Sequence, residues 1–176
     1  MIIGIAGTLG SGKGMAAEYL AKKHNFTYLS VRNFFAQEVL RRGKMVTRDA
    51  IAQVALELRA QYGKTHAVEQ LVGRIIVGKN IVIESIRTKE EAGYLKEKGA
   101  LLWAVDADPQ VRYQRILQRD ASTENVSFEQ SIEKEMKEGV LTEVISMADA
   151  VLQNNGTKEE FFASIDSALA RVAPKS

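Results

Sequence analysis

Short apolar runs alternate with longer stretches of helical period along this chain. Residues 2–6, Ile2-Ile3-Gly4-Ile5-Ala6, read as a buried strand, and residues 12–23 follow with a helical pattern. A short strand is expected over 26–29. Ser30 caps the next helix, which carries Phe34, Phe35, Val39 and Leu40 and ends near Arg42-Gly43. Thr47, with Asp49 in the first turn, opens a helix over 48–61. A further helical stretch over 65–77 runs into the turn Gly78-Lys79-Asn80 and the apolar strand 81–83. Thr88-Lys89-Glu90-Glu91 is a capping box for a helix to Lys98, and a strand over 100–105 follows Gly99. Asp108-Pro109 opens a helix to about Arg119. Residues 120–126 are polar, and Ser127-Phe128-Glu129-Gln130 is a second capping box before a charged helix to about Glu138. A short helix over 142–148, a strand over 150–152 and the turn Asn154-Asn155-Gly156 lead to a last helix capped by Thr157-Lys158-Glu159-Glu160. Strands alternating with helices predict an α/β fold with a parallel sheet covered on both faces.

Between the first strand and its helix lies Gly7-Thr8-Leu9-Gly10-Ser11-Gly12-Lys13-Gly14. This is G-x-x-x-x-G-K in the context that the phosphate-binding P-loop demands. Glycines let successive backbone N–H groups turn into one concavity, and the positive end of the following helix adds to the field. Lys13 supplies a mobile charge to the outer phosphates. The Ser/Thr that usually follows the lysine and holds magnesium is Gly14 here.

Composition narrows the partners. With 176 residues, 45% hydrophobic and 26% charged, the chain reads as one globular domain. A net charge of +2 does not indicate a nonspecific nucleic-acid or membrane role, and the P-loop makes small nucleotides the expected partners. The absence of cysteine excludes disulfides, thiol catalysis and cysteine-bound metal. His24 and His66 have no ligand-like spacing. No leader precedes the first strand and no apolar run approaches membrane-spanning length, so the cytoplasm is the expected compartment.

The spelling G-K-G resembles the nucleoside monophosphate kinases, which read G-x-x-G-x-G-K-G-T. Gly7, Gly10, Gly12, Lys13 and Gly14 match, and Met15 stands where that family has Thr. The resemblance implies a P-loop fold in three layers, with a five-stranded parallel sheet in the order 2-3-1-4-5 and a short helical lid. It implies ATP and Mg2+, with Gly7, Leu9, Gly10, Ser11, Gly12, Lys13, Gly14 and Met15 around the ATP phosphates. It divides the chain into a core (1–29, 80–119, 140–176), acceptor-binding helices (30–79) and a lid of about 120–139.

Three further segments carry candidate chemistry. Ile81-Val82-Ile83-Glu84 is an apolar strand ending in a carboxylate. Glu84 reads either as the acid that orders magnesium, through water, or as a plain capping or surface acid. Glu84-Ser85-Ile86-Arg87 resembles a shortened D-G-x-P-R, whose arginine grips the acceptor phosphate. Arg87 suits that role because a guanidinium binds a phosphate bidentately. Arg112, Arg115 and Arg119 fall on one helical face, which alone is an ordinary solvated basic surface. By resemblance to the R-x-x-x-R of monophosphate kinases, Arg115 lies near the donor and Arg119 reaches the transferred phosphoryl group. Arg112 is expected to be merely surface. Asn154-Asn155-Gly156-Thr157, an N-x-G-T after the last strand, resembles the loop that lies against the donor adenine in dephospho-coenzyme A kinases, which implies Asn155 and Gly156 at the ATP; it is equally an ordinary turn and helix cap.

The helices between the second and third strands contain Arg32, Arg41, Arg42, Arg48, Arg59, Lys64 and Arg74. Arg32 and Arg59, with Arg87, are the candidates for the acceptor. A hydroxyl acceptor usually needs a carboxylate base near the end of the second strand. Leu29-Ser30-Val31-Arg32-Asn33 offers none, which favours an anionic monophosphate acceptor. The expected reaction is phosphoryl transfer from ATP to a (deoxy)nucleoside monophosphate. The alternatives are a dephospho-coenzyme A kinase-like or other hydroxyl-acceptor kinase, and a nucleotide-binding ATPase or regulatory module with no small acceptor.

Overall fold

A computed structural model describes residues 1–74, 78–119 and 140–172. The elements in chain order are β1 (Ile2–Gly7), α1 (Lys13–His24), β2 (Thr27–Ser30), α2 (Val31–Arg41), α3 (Arg48–Tyr62) and α4 (His66–Val72). Then come β3 (Ile81–Ile86), α5 (Lys89–Glu97), β4 (Leu101–Asp106), α6 (Pro109–Arg119), α7 (Val140–Ser146), β5 (Ala150–Gln153) and α8 (Lys158–Val172). The five strands form one sheet in the order β2-β3-β1-β4-β5, and every pairing is parallel. The predicted α/β fold and strand order are therefore observed.

Strand alternation divides the core into two. Ile81 and Ile83 of β3 and Leu102 of β4 pack with Val31, Phe35, Val54, Leu58, Val68, Leu95 and Val144 from α2, α3, α4, α5 and α7. Ile3 and Ile5 of β1, Val82 of β3 and Trp103 of β4 pack on the other face with Ala16, Leu20, Phe161 and Ile165 from α1 and α8. Trp103 and Phe161 are almost fully buried, and each such side chain stabilises the fold by about 1.5–3 kcal/mol through removal of apolar surface from water. The central strands are buried on both sides, whereas the edge strand β2 exposes Thr27 and Tyr28. That is why β1 and β3 read as continuous apolar runs and β2 does not.

The caps expected at Ser30, Thr47, Thr88 and Thr157 are present. Ser30 Oγ accepts from Asn33 N at 3.3 Å, and Thr47 Oγ1 accepts from Ala50 N at 3.1 Å. Thr88 with Glu91 and Thr157 with Glu160 each make the reciprocal bonds of a capping box.

Several boundaries differ from the expectation. β3 continues through Glu84 and Ser85 to Ile86, all buried, instead of ending after residue 83. The polar pair masks the strand because its groups are satisfied inside the protein. α4 is shorter than the 65–77 stretch, of which 75–77 lie outside the described residues. α7 begins at Val140, two residues earlier than expected. The second capping box and the lid, 120–139, lie outside the described residues. Among the described residues, no helix is long and apolar enough to cross a membrane.

Candidate functional site

In a parallel sheet the carboxyl ends of the strands share one edge, where ligands bind. Here that edge brings together Gly7 of β1, Ser30 of β2, Glu84 to Ile86 of β3, Asp106 of β4 and Gln153 of β5. The P-loop leaves β1 at this edge and turns into α1.

The loop is wedged between two neighbours. Gly10 has φ 79°, and a β-carbon there would lie 2.6 Å from the Arg112 carbonyl oxygen. Gly12 has φ 100°, and a β-carbon there would run into Asn154 Nδ2. Both positions require glycine for conformation and for space. Lys13 Nζ donates to Thr8 O at 3.2 Å, so the lysine folds back over the loop. Thr8 Oγ1 and Ser11 Oγ are buried with no hydrogen-bond partner among the described residues. Such groups cost free energy until something bonds them, and orphaned hydroxyls within a phosphate-binding loop fit an oxyanion ligand. Gly14 is different: a β-carbon there meets nothing within 4 Å. The space for the usual magnesium-binding hydroxyl is open. Met15 packs its side chain against the α1/α8 core.

Arg112 is not the surface residue expected. It is 8% exposed, its Nε donates to Ala107 O at 3.0 Å, and a terminal nitrogen donates to Leu9 O at 3.4 Å. It therefore holds the P-loop from the first turns of α6. Arg115, one turn on, donates to Asn154 O at 2.8 Å and to Asn154 Oδ1 at 3.3 Å. Arg119 is the last residue of α6.

Asn154, the first residue of the N-x-G-T motif, is the one that faces inward, although only Asn155 and Gly156 are expected at the site. It is 2% exposed. Its Nδ2 donates to Ser11 O at 2.7 Å and its backbone N donates to Asp106 O at 2.8 Å. One residue, through its backbone N and its side chain, thus ties β4 and α6 to the P-loop at the end of β5. Its neighbour Asn155, expected at the adenine, is exposed and bonds Asp108: its Oδ1 accepts from Asp108 N at 2.7 Å. Gly156 follows in the turn that enters the Thr157 cap of α8. The doubled Asn was visible in the sequence, but which of the two faces inward depends on the strand register.

Glu84 pairs in register with Ser30 of β2 and Ile5 of β1. Alternation puts it on the side of Val82, the side covered by α1. It is buried, and three hydroxyls hold it: Ser85 Oγ donates to Oε1 at 2.7 Å, while Ser30 Oγ and Tyr28 OH reach Oε2 at 3.0 and 3.4 Å. Burial, then the nearby Glu84 charge, push the Tyr28 hydroxyl up to about 12. No lysine or arginine pairs with Glu84 among the described residues. A buried carboxylate with hydroxyl donors and no cation suits a hydrated divalent ion. No group of three or more His, Asp or Glu that could by itself hold a metal ion exists among the described residues. Glu84 is the residue that could hold magnesium here, through water and together with nucleotide phosphates. Ser85 stands where D-G-x-P-R carries glycine, and takes a glycine-like φ of 68°.

The acceptor-side arginines separate into two groups. Arg32, in the first turn of α2, and Arg87, just beyond β3, are exposed and make no side-chain bond among the described residues. Arg59 is already engaged: it donates to Glu91 Oε1 at 2.7 Å and lies over the Phe35 ring, 5.2 Å from its centroid, while its Nε is buried without a partner among the described residues. Glu91 is fully buried and also accepts from Arg87 N at 2.9 Å and Thr88 N at 3.2 Å. Arg59 thereby fixes the turn that carries Arg87. Arg41 and Arg42 pair with Glu38, and Arg42 also with Glu57. Lys64 pairs with Glu90.

Comparison with known proteins agrees with this fold. The family described as "AAA domain" matches residues 3–140. A "UPF0200 protein" of Methanococcus vannielii is 30% identical over 97% of this chain and 96% of its own. A shikimate kinase structure from Bacteroides thetaiotaomicron covers 98% of both chains at a TM-score of 0.67 and 12% identity. A dephospho-CoA kinase from Campylobacter jejuni covers 98% of this chain and 96% of its own at 0.60 and 12%. The structural likenesses speak for the fold. The chain belongs to the UPF0200 family and to the AAA-domain family, and its architecture is that of a P-loop kinase.

Proposed function

We propose that this protein transfers the γ-phosphoryl group of ATP to a small acceptor that itself carries a phosphate, a nucleoside or deoxynucleoside monophosphate, and does so in the cytoplasm. The observation that carries the acceptor half is the pair Arg32 and Arg87. Both are exposed, lack side-chain partners among the described residues, and stand just past the carboxyl ends of the neighbouring strands β2 and β3. Two guanidinium groups beside a P-loop suit a second phosphate. Arg59, bound to buried Glu91, supports that side by holding the turn that carries Arg87.

In this reading residues 1–29, 80–119 and 140–176 form the donor-binding core of one domain, 30–79 the acceptor side, and 120–139 the lid. The P-loop amides and Lys13 hold the β- and γ-phosphates, with Arg115 at the donor and Asn155 and Gly156 toward the adenine. An acceptor phosphate oxygen attacks the γ-phosphorus, the bond to the β–γ bridging oxygen breaks, and ADP leaves. Arg87 and Arg32 keep the two anions together, which is mostly a matter of positioning and charge. Arg119 meets the charge spread over the transferring group. Magnesium, when bound, supplies charge neutralisation between the phosphates.

A hydroxyl acceptor is the second reading. The shikimate kinase and dephospho-CoA kinase that share the fold support it, as does the buried carboxylate Glu84 beside Ser30. The test is ADP release from Mg·ATP against a panel of monophosphates, dephospho-coenzyme A, shikimate and gluconate. Stimulation by a monophosphate upholds the first reading, and stimulation only by a hydroxyl compound replaces it with the second. An acceptor-independent rate leaves an ATPase. In the active combination Lys13→Ala should lower turnover by about a hundredfold or more, the size of single contacts to developing charge.

A further inference from the structure

Ser85 lies inside β3 with φ 68°, in the left-handed region that a β-carbon disfavours. The strand pairing slips at this point: Ile5 pairs with Glu84, but Ala6 pairs with Ile86. Ser85 is thus the extra residue of a bulge. Because of it Ile86 returns to the face of Ile83 and packs in the same cluster. Among the described residues the other non-glycine at positive φ is Asn25, which caps the end of α1. Asn is well suited to such a position; Ser is not. A glycine would adopt this backbone at lower cost.

What serine adds is its hydroxyl. Ser85 is 4% exposed, and its Oγ donates to Glu84 Oε1 at 2.7 Å. The bonds from Ser30 and Tyr28 both go to the other oxygen, Oε2. Without Ser85 the carboxylate would be held at one oxygen only and could swing about it. Bulges beside active sites commonly re-aim a side chain, and strained backbone concentrates where geometry matters.

We infer that Ser85 is a positioning residue, whose left-handed backbone turns its hydroxyl onto Glu84 and fixes that carboxylate for magnesium-bound ATP. The inference rests on the donor half of the proposed function and is independent of the acceptor. Partners that orient metal ligands typically change metal affinity by 10–100-fold, and contact through water places this one near about tenfold.

The experiment is calorimetric titration of ATP, in magnesium and in EDTA, into the wild type, Ser85→Ala, Ser85→Gly and Glu84→Gln, with a melting curve for each. The readout is the ratio of the two affinities. Both Ser85 variants should lose about tenfold of the magnesium enhancement, Glu84→Gln at least as much, and ATP affinity in EDTA should not change. Ser85→Gly should melt above Ser85→Ala, because glycine alone relieves the backbone. The inference is overturned if either Ser85 variant keeps the wild-type ratio. It is equally overturned if affinity in EDTA falls as far as affinity in magnesium, or if Glu84→Gln keeps the enhancement. A wild type that binds Mg·ATP with the expected ratio but phosphorylates no acceptor defeats the acceptor reading and leaves Ser85 in its role.

Discussion

Replacing Asn154 by alanine removes the donor that Ser11 O receives at 2.7 Å and the acceptor that Arg115 reaches at 3.3 Å. The backbone bond from Arg115 to Asn154 O survives the change. The site is 2% exposed, so water cannot readily take over. A buried carbonyl left without its donor costs about 1–3 kcal/mol, and the longer charged contact adds a fraction more. The expected loss is about 2–3 kcal/mol in a urea unfolding curve, or about 5–10 °C in Tm at this chain length. Part of the loss falls on the loop, which must be reordered when ATP binds. An affinity drop of about tenfold corresponds to about 1.4 kcal/mol of that reordering. Asn155→Ala is the control, since Asn155 is exposed and bonds only Asp108 among the described residues. It should stay within about 1 kcal/mol of the wild type. If Asn154→Ala unfolds with the wild-type midpoint and binds ATP normally, the link from β5 to the P-loop is not what holds the loop.

Arg87→Ala should act on the acceptor, lowering its kcat/KM by the equivalent of about 1.5–3 kcal/mol for a lost bidentate contact; a rise confined to the KM of ATP counts against the assignment. Gly14→Ser should fold at least as stably as the wild type, because its β-carbon meets nothing within 4 Å and a helical glycine is replaced. Its new hydroxyl should lower the magnesium needed for half-maximal ATP binding; loss of ATP binding counts against the open space read at that position. Asp166→Asn should lower Tm at neutral pH, because hydrogen bonds from Lys23, against the opposing effect of burial and with further bonds from His24 and Tyr19, hold the Asp166 carboxyl at about 2. A depressed carboxyl stabilises above its ordinary value and ceases to do so as pH falls through the folded value. The Tm difference should therefore shrink between about pH 4 and pH 2, and a difference that persists unchanged at pH 2 would have another origin.

The P-loop was legible because its information is local. Eight consecutive residues carry the turn, the charge and the helix start, and the flanking strand and helix confirm them. The capping boxes at Thr88 and Thr157 were legible for the same reason. Arg112 and Asn154 were not, since what they touch lies 103 and 143 positions away in the chain. Helical spacing placed Arg112 on a basic face, but only the packing of α6 against the P-loop shows that this face is inward. Glu84 and Ser85 interrupt an apolar run, so the strand seemed to end before them. Its continuation depends on hydroxyls contributed by β2, and no pattern within β3 encodes those. Arg59 matched an acceptor role by position, and the buried Glu91 that takes one of its nitrogens belongs to a capping box that looked complete without it.

The central claim is that this P-loop passes a phosphoryl group to a second anion. The direct measurement is to incubate the protein with Mg2+, γ-labelled ATP and each monophosphate in turn, and to follow the label by chromatography. The expected result is label in a new diphosphate product, formed only when its acceptor is present and lost with Arg87→Ala. Label that appears solely as inorganic phosphate, at a rate indifferent to every acceptor, would contradict it.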